Sequence, residues 1–227
     1  MTVWRLSPEP ILPDPRRVSD PDGLLAVGGD LTPLRLIRAY RAGIFPWFNE
    51  HDPYLWWSPP RRAVFFPHTE RFSTRTLRAL RSQGFEVRLD TCFRDVIQAC
   101  REVPRRDQEG TWITEEVVEA YHVLHAMGYA HSFEVFQESR LVGGLYGLSF
   151  GGMFCGESMF SQVDYASRAA FRCLCQRAWS WGFHFIDGQL PNANLLGLGA
   201  TVLERDAFLD RLEGALAEPT RRGRWSA

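Results

Sequence analysis

At 227 residues, 45% hydrophobic and 23% charged, with a formal net charge of -1, the chain has the composition of a globular protein of one or two domains. It contains no lysine, so all 26 basic residues are arginines, which excludes a Schiff-base lysine, a P-loop lysine and lysine-dependent pyridoxal chemistry. No apolar run reaches the roughly 18 residues of a membrane span, and the near-neutral charge means that any nucleic-acid site must be a local patch.

The opening MTVWRLSPEPILPDPRR has early prolines and acids where a secretory signal would have basic and apolar regions. Five cysteines (Cys92, Cys100, Cys155, Cys173, Cys175), an odd number with no CxxC pair, point to reduced thiols and a cytoplasmic setting. Residues 1–62 crowd prolines, glycines and tryptophans into PDGLLAVGGDLTP and AGIFPWFNEHDPYLWWSPPRR. They read as a small irregular domain that ends near the Ser58–Pro60 turn. One helix is expected within it, Pro33 to Arg41, with Thr32 as its cap, Pro33 in its first turn and Gly43 at its exit.

Residues 63–227 read as a regular domain. AVFFP is a strand, and Ser73 or Thr74 caps a helix through Arg81 that carries Arg75, Arg78 and Arg81 at helical spacing. FEVRLD is a strand, CFRDVIQACRE a helix, and Thr114 starts a further helix that ends at Gly128. HSFEVFQ, LVGGLYGLSF and GMFCGESMF follow as three meander strands. YASRAAFRCLCQRAWSWG is a helix with a core stripe of Ala166, Ala170, Cys173, Leu174, Ala178 and Trp181. FHFIDGQL, Phe183 to Leu190, is the next strand, ERDAFLDRLEGALAE closes the domain, and RRGRW reads as a solvated tail.

Asp187, late in an apolar strand, must be paired, protonated or used, because an unpaired buried carboxylate is destabilising by several kcal/mol or shifts its pKa. Alternation places Gln189 on the same face. With Glu157 of CGESMFS, and His131 at a strand start, they form the candidate polar constellation, to be weighed against a structural cluster closing a strand end. No HExxH or paired-cysteine spacing accompanies the six histidines, so no metal is expected. Trp47, Trp56, Trp57 and Trp112 lie in turn-rich segments, where their rings suit either nucleobase stacking or a domain-interface core. The arginine helix is a solvated face or a phosphate contact.

PDGLLAVGGDLTPLRLIRAYRAGIFPWF, LWWSPPRRAVFFP, GTWITEEVVEAYHVLHAMGYAHSFEVF, LVGGLYGLSFGGMFCGESMFS and FIDGQ followed by LGA resemble, in order and spacing, the leucyl/phenylalanyl-tRNA-protein transferase family over roughly residues 20 to 210. The resemblance implies an α+β protein, with a small N-terminal domain and a C-terminal mixed-sheet domain of the acetyltransferase-like (GNAT) fold. It also implies transfer of leucine, phenylalanine or methionine from tRNA to the N-terminal arginine or lysine of a protein, marking that protein for N-degron proteolysis. Its expected partners are aminoacyl-tRNA and such acceptor proteins, acting on a monomer without a cofactor or membrane.

By the family pattern Asp187 orients or polarises Gln189, Gln189 contacts the attacking amine, and Glu157 holds the cationic acceptor residue. Leu145, Phe154 and Ser158 would belong to the substrate site, Trp47 and Trp112 would flank the terminal adenosine, and Arg75, Arg78 and Arg81 would meet acceptor-stem phosphates. Where the family usually has cysteine, histidine and serine, this chain has Gly188, Asn194 and Gly197. Leu174 and Ala178 stand where bulkier aromatics are expected, which implies a roomier donor pocket. A CoA-dependent acyltransferase is the alternative enzyme, but SQVDYASRAA after GESMFS lacks the glycines of a pyrophosphate loop. An RNA- or degron-binding adaptor on the same scaffold is the non-catalytic alternative.

Overall fold

The computed structural model describes residues 2–103 and 111–226. Proline and glycine break the N-terminal segment into strands of two to five residues: β1 (Trp4–Leu6), β2 (Leu24–Gly28), β3 (Phe45–Pro46) and β4 (Leu55–Trp57). They form one small sheet in the order β1-β2-β4-β3. The helix between them, α1 (Pro33–Arg41), has the expected bounds, but Thr32 does not cap it. Its backbone N–H and hydroxyl both turn back to Asp30 Oδ1, at 2.9 and 2.6 Å, because a fixed carboxylate two residues away competes for them.

A second, mixed sheet holds β5 (Arg61–Phe65), β6 (Glu86–Leu89), β7 (Ala130–Gln137), β8 (Arg140–Phe150), β9 (Met153–Ser161), β10 (Phe185–Asp187) and β11 (Thr201–Glu204). The order is β11-β5-β10-β9-β8-β7-β6, with β9 and β10 parallel and the other neighbours antiparallel. Helices α2 (Thr74–Ser82), α3 (Phe93–Glu102), α4 (Glu115–Ala126), α5 (Ala166–Ser180), α6 (Ala193–Gly197) and α7 (Arg205–Leu216) complete the α+β architecture expected from the sequence. Ser73 and Thr114 cap α2 and α4 as expected, accepting from Thr76 N at 3.1 Å and Val117 N at 3.3 Å.

Strand alternation divides the central sheet into two faces. Val64, Cys155 and Phe185 point to one, where Val96, Tyr121 and Phe208 from the helices meet Tyr40 and Trp56 of the N-terminal segment. Phe65, Phe154 and Ile186 point to the other, against Phe171, Leu174 and Ala178 of α5. The first core therefore runs without a break from the N-terminal sheet into the large one, and β5 straddles residues 62 and 63. On α5 the buried stripe is wider than expected: Ala169, Phe171 and Cys175 join it, while Cys173 and Trp181 are only partly covered.

Two segments depart from the sequence expectation. FHFIDGQL is a strand only from Phe185 to Asp187, since Gln189 takes a left-handed φ of 60° that a strand cannot continue through. In the C-terminal RRGRW, residues 221–224 are exposed, as expected of a solvated tail, but the last residue is not. Trp225 is 4% exposed, buried among Phe133, Phe154, Trp181 and Phe183 and stacked on His131 at 3.6 Å. Its backbone N–H donates to the buried Asp90 at 2.6 Å, and Arg222 donates to the Met127 carbonyl. Gly128 lets this strap pass: a Cβ there would lie 2.3 Å from Gly223 N.

Candidate active site

The site forms where two parallel strands part. Asp187 is in register with Cys155, and β10 ends there. The chain beyond stays with β5, through Gly188 N to Ala63 O and Ala63 N to Gln189 O, both 2.8 Å, whereas β9 continues along β8 to Ser161. The divergence opens a cleft between them. At the same level the β8–β9 register shifts, pairing Tyr146 with Ser158 and Gly147 with Gly156 and leaving Glu157 as the extra residue of a bulge. Gly147 is required opposite it, because a Cβ would lie 2.2 Å from the Cys155 carbonyl oxygen.

Asp187 is fully buried and paired. Arg62, itself 2% exposed, grips it in a bidentate fork, Nε to Oδ1 at 3.0 Å and Nη2 to Oδ2 at 2.7 Å. The third corner of the guanidinium donates to the Gly43 carbonyl at 3.0 Å, and its faces meet Phe45 and Phe208 at 4.8 and 4.4 Å. Burial alone would lower the Arg62 pKa, but the charge of Asp187 and its hydrogen bonds raise it, so the pair is ionic. Asp187 Oδ1 also accepts the backbone N–H of Gln189 at 2.8 Å. Asp187 therefore holds Gln189 by its main chain, not by polarising its amide, and that contact accommodates the left-handed backbone at residue 189.

The Gln189 side chain reaches Glu157 instead, Nε2 to Oε1 at 2.8 Å, with Cys155 Sγ at 3.5 Å. The other Glu157 oxygen accepts from Tyr121 at 3.2 Å, and Tyr121 shares a short hydrogen bond with Tyr40. Burial pushes the Glu157 carboxyl up to about 7, against hydrogen bonds from Tyr40, Tyr121 and Cys155 that favour the charged form. Burial, together with Glu157, holds both phenols well above their ordinary range. The Cys155 thiol is also raised, by burial and then by Asp187 and Glu157, so it stays protonated and donates to Asp187 Oδ2 at 3.4 Å.

A cavity of about 220 Å³ adjoins this cluster. Leu145, Glu157, Ser158 and Asp187 line it together with Phe171, Leu174 and Leu195, and Asn192 and Asn194 also face it. Phe154 is not part of that lining and lies fully buried, edge-on to Phe133. Trp47 lines a second cavity of about 300 Å³ with Phe45, Trp57 and Leu190, the last immediately after Gln189. Trp112 is buried against the edge of Tyr121. Arg75, Arg78 and Arg81 are exposed along α2 and have no ion-pair partner among the described residues. His131 is not brought to the site; it is buried on β7, its Nδ1 2.8 Å from Asp90.

Sequence reading missed Arg62, Tyr40, Tyr121 and Cys155. One signal was available for Arg62. Of the adjacent Arg61 and Arg62, strand alternation must turn one inward, and a buried acid on a neighbouring strand is what a buried arginine needs.

The profile of the "Leucyl/phenylalanyl-tRNA protein transferase" family matches residues 64–213, and that of its N-terminal domain matches residues 29–60. A protein of Xanthomonas axonopodis pv. citri named leucyl/phenylalanyl-tRNA--protein transferase is 49% identical over 217 residues, covering 96% of this chain and 87% of its own length. One of Thermodesulfovibrio yellowstonii with the same name is 47% identical over 225 residues, 99% of this chain and 91% of its own. Among solved structures, a GCN5-related N-acetyltransferase from Kribbella flavida matches 71% of this chain and 57% of its own at 8% identity, with a TM-score of 0.38.

Proposed function

The chain belongs to the leucyl/phenylalanyl-tRNA protein transferase family, and on that premise we propose that the cleft at the β9–β10 divergence is its aminoacyl-transfer site. The protein is an aminoacyltransferase that moves leucine or phenylalanine from tRNA to the N-terminal arginine or lysine of acceptor proteins. Methionine as a third donor, a role in marking acceptors for degradation, a monomeric state and a cytoplasmic location belong to the same reading. So does a division of labour at residue 62, in which the N-terminal segment contributes Tyr40, the Gly43 carbonyl, Trp47 and Arg62, and the remainder contributes Glu157, Asp187, Gln189 and the cavity beside them.

The observation that carries the proposal is the convergence of Arg62, Asp187, Gln189 and Glu157 beside one apolar cavity. An aminoacyl ester is already activated, so its aminolysis needs chiefly a positioned amine, somewhere for its proton to go and a held donor. About a tenth of an α-amine is neutral at pH 7, given its reference pKa of about 7.7 to 8.0. Asp187, committed to Arg62, is a positioning group. Gln189 receives the amine, the Glu157 carboxylate attracts the cationic acceptor, and the leaving 3′-oxygen of the tRNA takes the proton. Ser158 contacts the donor at the cavity, Phe154 backs its wall, and Trp47 and Trp112 serve the terminal adenosine.

Labelled Phe-tRNA mixed with an arginine-starting peptide, with acetyl-CoA as a parallel donor, tests this reading. Transfer from tRNA alone is expected. Acetyl transfer would establish the CoA-dependent enzyme, and tRNA binding without any transfer would leave an adaptor.

Leu145, Leu174 and Leu195 line the donor cavity, and a buried methylene discriminates by only about 1 to 3 kcal/mol. Leu174→Phe narrows it and is expected to lower kcat/KM for Phe-tRNA about tenfold more than for Leu-tRNA, measured with the two donors in competition. Arg75, Arg78 and Arg81 present guanidinium groups along α2 that have no ion-pair partner among the described residues. Replacing all three by alanine is expected to weaken tRNA binding and to flatten its log–log salt dependence by about 2 to 3. A slope unchanged in filter binding between low and moderate salt would remove α2 from the tRNA site.

A further inference from the structure

Gln189 is held on three sides. Its N–H is tied to Asp187, its carbonyl to Ala63 N, and its side-chain Nε2 to Glu157. Only the amide plane is left to turn, and its orientation follows from the partners it meets. An ionised carboxylate is an acceptor only, so it draws the Gln189 NH2 toward itself and turns Oε1 away. That outward oxygen can receive an N–H of the acceptor amine. A protonated Glu157 can donate instead, which favours the reversed amide with NH2 outward, a donor facing a donor.

We propose that Glu157 is a positioning residue whose charge state sets which end of the Gln189 amide meets the acceptor, so that acid turns acceptor binding off. This rests on the transferase reading above. The other groups facing Glu157 cannot make the choice. Cys155 on its own strand and Tyr40 and Tyr121 on the two helices stay protonated, because burial raises all three. Tyr146 on β8 packs edge-on against Tyr121 at 5.9 Å. Asp187 and Arg62 neutralise each other. Tyr121 donates to Oε2 of Glu157, so a proton taken up by Glu157 goes to Oε1, the oxygen that faces Gln189. Burial places the change near neutrality.

The test is kcat/KM for an arginine-starting peptide from pH 6 to 8.5 with Phe-tRNA as donor, divided by the neutral fraction of the peptide amine titrated free in solution. The wild-type protein is expected to retain an acid limb with its midpoint near 7. Glu157→Gln should lose that limb, with kcat/KM at pH 8 about tenfold down through a raised peptide KM. Gln189→Met should lose it too, because Glu157 acts through Gln189. A limb that persists in Glu157→Gln overturns the assignment. One that persists in Gln189→Met shows that Glu157 acts on the acceptor directly, by its charge or by taking the proton, and not through Gln189, which also overturns it. Should either variant fail to fold, carboxylate ¹³C titration of otherwise wild-type protein labelled at glutamate decides, with Glu134, the other buried glutamate raised by burial, replaced by glutamine to keep the signals apart: a Glu157 resonance titrating near 7 is expected, and one titrating below 5.5 rejects the proposal. Wild-type transfer at pH 8 tests the transferase reading separately, since its absence sinks that reading whatever the NMR titration gives.

Discussion

Asp187→Ala is expected to lower transfer by at least about a hundredfold and to destabilise the protein by about 3 to 5 kcal/mol, the range for breaking a buried ion pair by removing one partner. Both consequences have one source. The Arg62 guanidinium is enclosed by Gly43, Phe45, Phe208 and Asp187, so it cannot turn to water once the carboxylate is gone. At the same time Gln189 loses the acceptor for its N–H and with it the anchor of its left-handed backbone. Urea unfolding and single-turnover transfer, measured on the same preparations, check the two effects.

The double variant Arg62→Met with Asp187→Leu separates them. Replacing both partners by apolar groups of similar size is often neutral for stability, so the unfolding free energy should recover by several kcal/mol while transfer stays lost. Recovery of transfer in the double variant would show that the ion pair only fills space. No loss of transfer in Asp187→Ala would remove Asp187 from the site altogether.

Trp225→Ala is expected to destabilise the fold by about 3 to 5 kcal/mol, as for other buried aromatic truncations, although residue 225 lies in a segment that reads as a tail. The ring fills the space between His131, Phe133, Phe154, Trp181 and Phe183. Removing it uncovers the buried Asp90–His131 pair, whose 2.8 Å contact otherwise lies under the indole. For a chain of this size the loss corresponds to a fall in Tm of roughly 6 to 20 °C, read by thermal unfolding. Trp225→Phe should lose only about half as much stability as Trp225→Ala. Equal stability of wild type and Trp225→Ala would mean that the strap is not seated on the sheet.

Much of this molecule was legible in its residues because the signals are local. Ser73 and Thr114 mark α2 and α4 through hydrogen bonds that span three residues. The meander β7–β8–β9 announces itself by alternation and tight turns. Asp187, Gln189 and Glu157 stood out as polar residues where apolar ones were expected, and they do meet, although not by the route alternation suggested. Gln189 reaches the cluster because the strand ends and the backbone turns left-handed, not because residues 187 and 189 share a pleat.

What the sequence determined by itself is where helices and strands lie, which residues carry unusual chemistry and which family the chain resembles. Local propensity, capping and motif order suffice for these. The tertiary structure alone decided who meets whom. Arg62 and Asp187 are 125 residues apart, Tyr40 and Tyr121 are 81 apart, and Asp90 and Trp225 are 135 apart. No periodicity connects such pairs. They are selected because a buried charge or hydroxyl must find a partner among whatever side chains sheet order and helix packing bring within about 3 Å. That requirement turned an isolated aspartate into one half of an ion pair, and it ties the backbone of Trp225, the one core residue of the C-terminal segment, to Asp90.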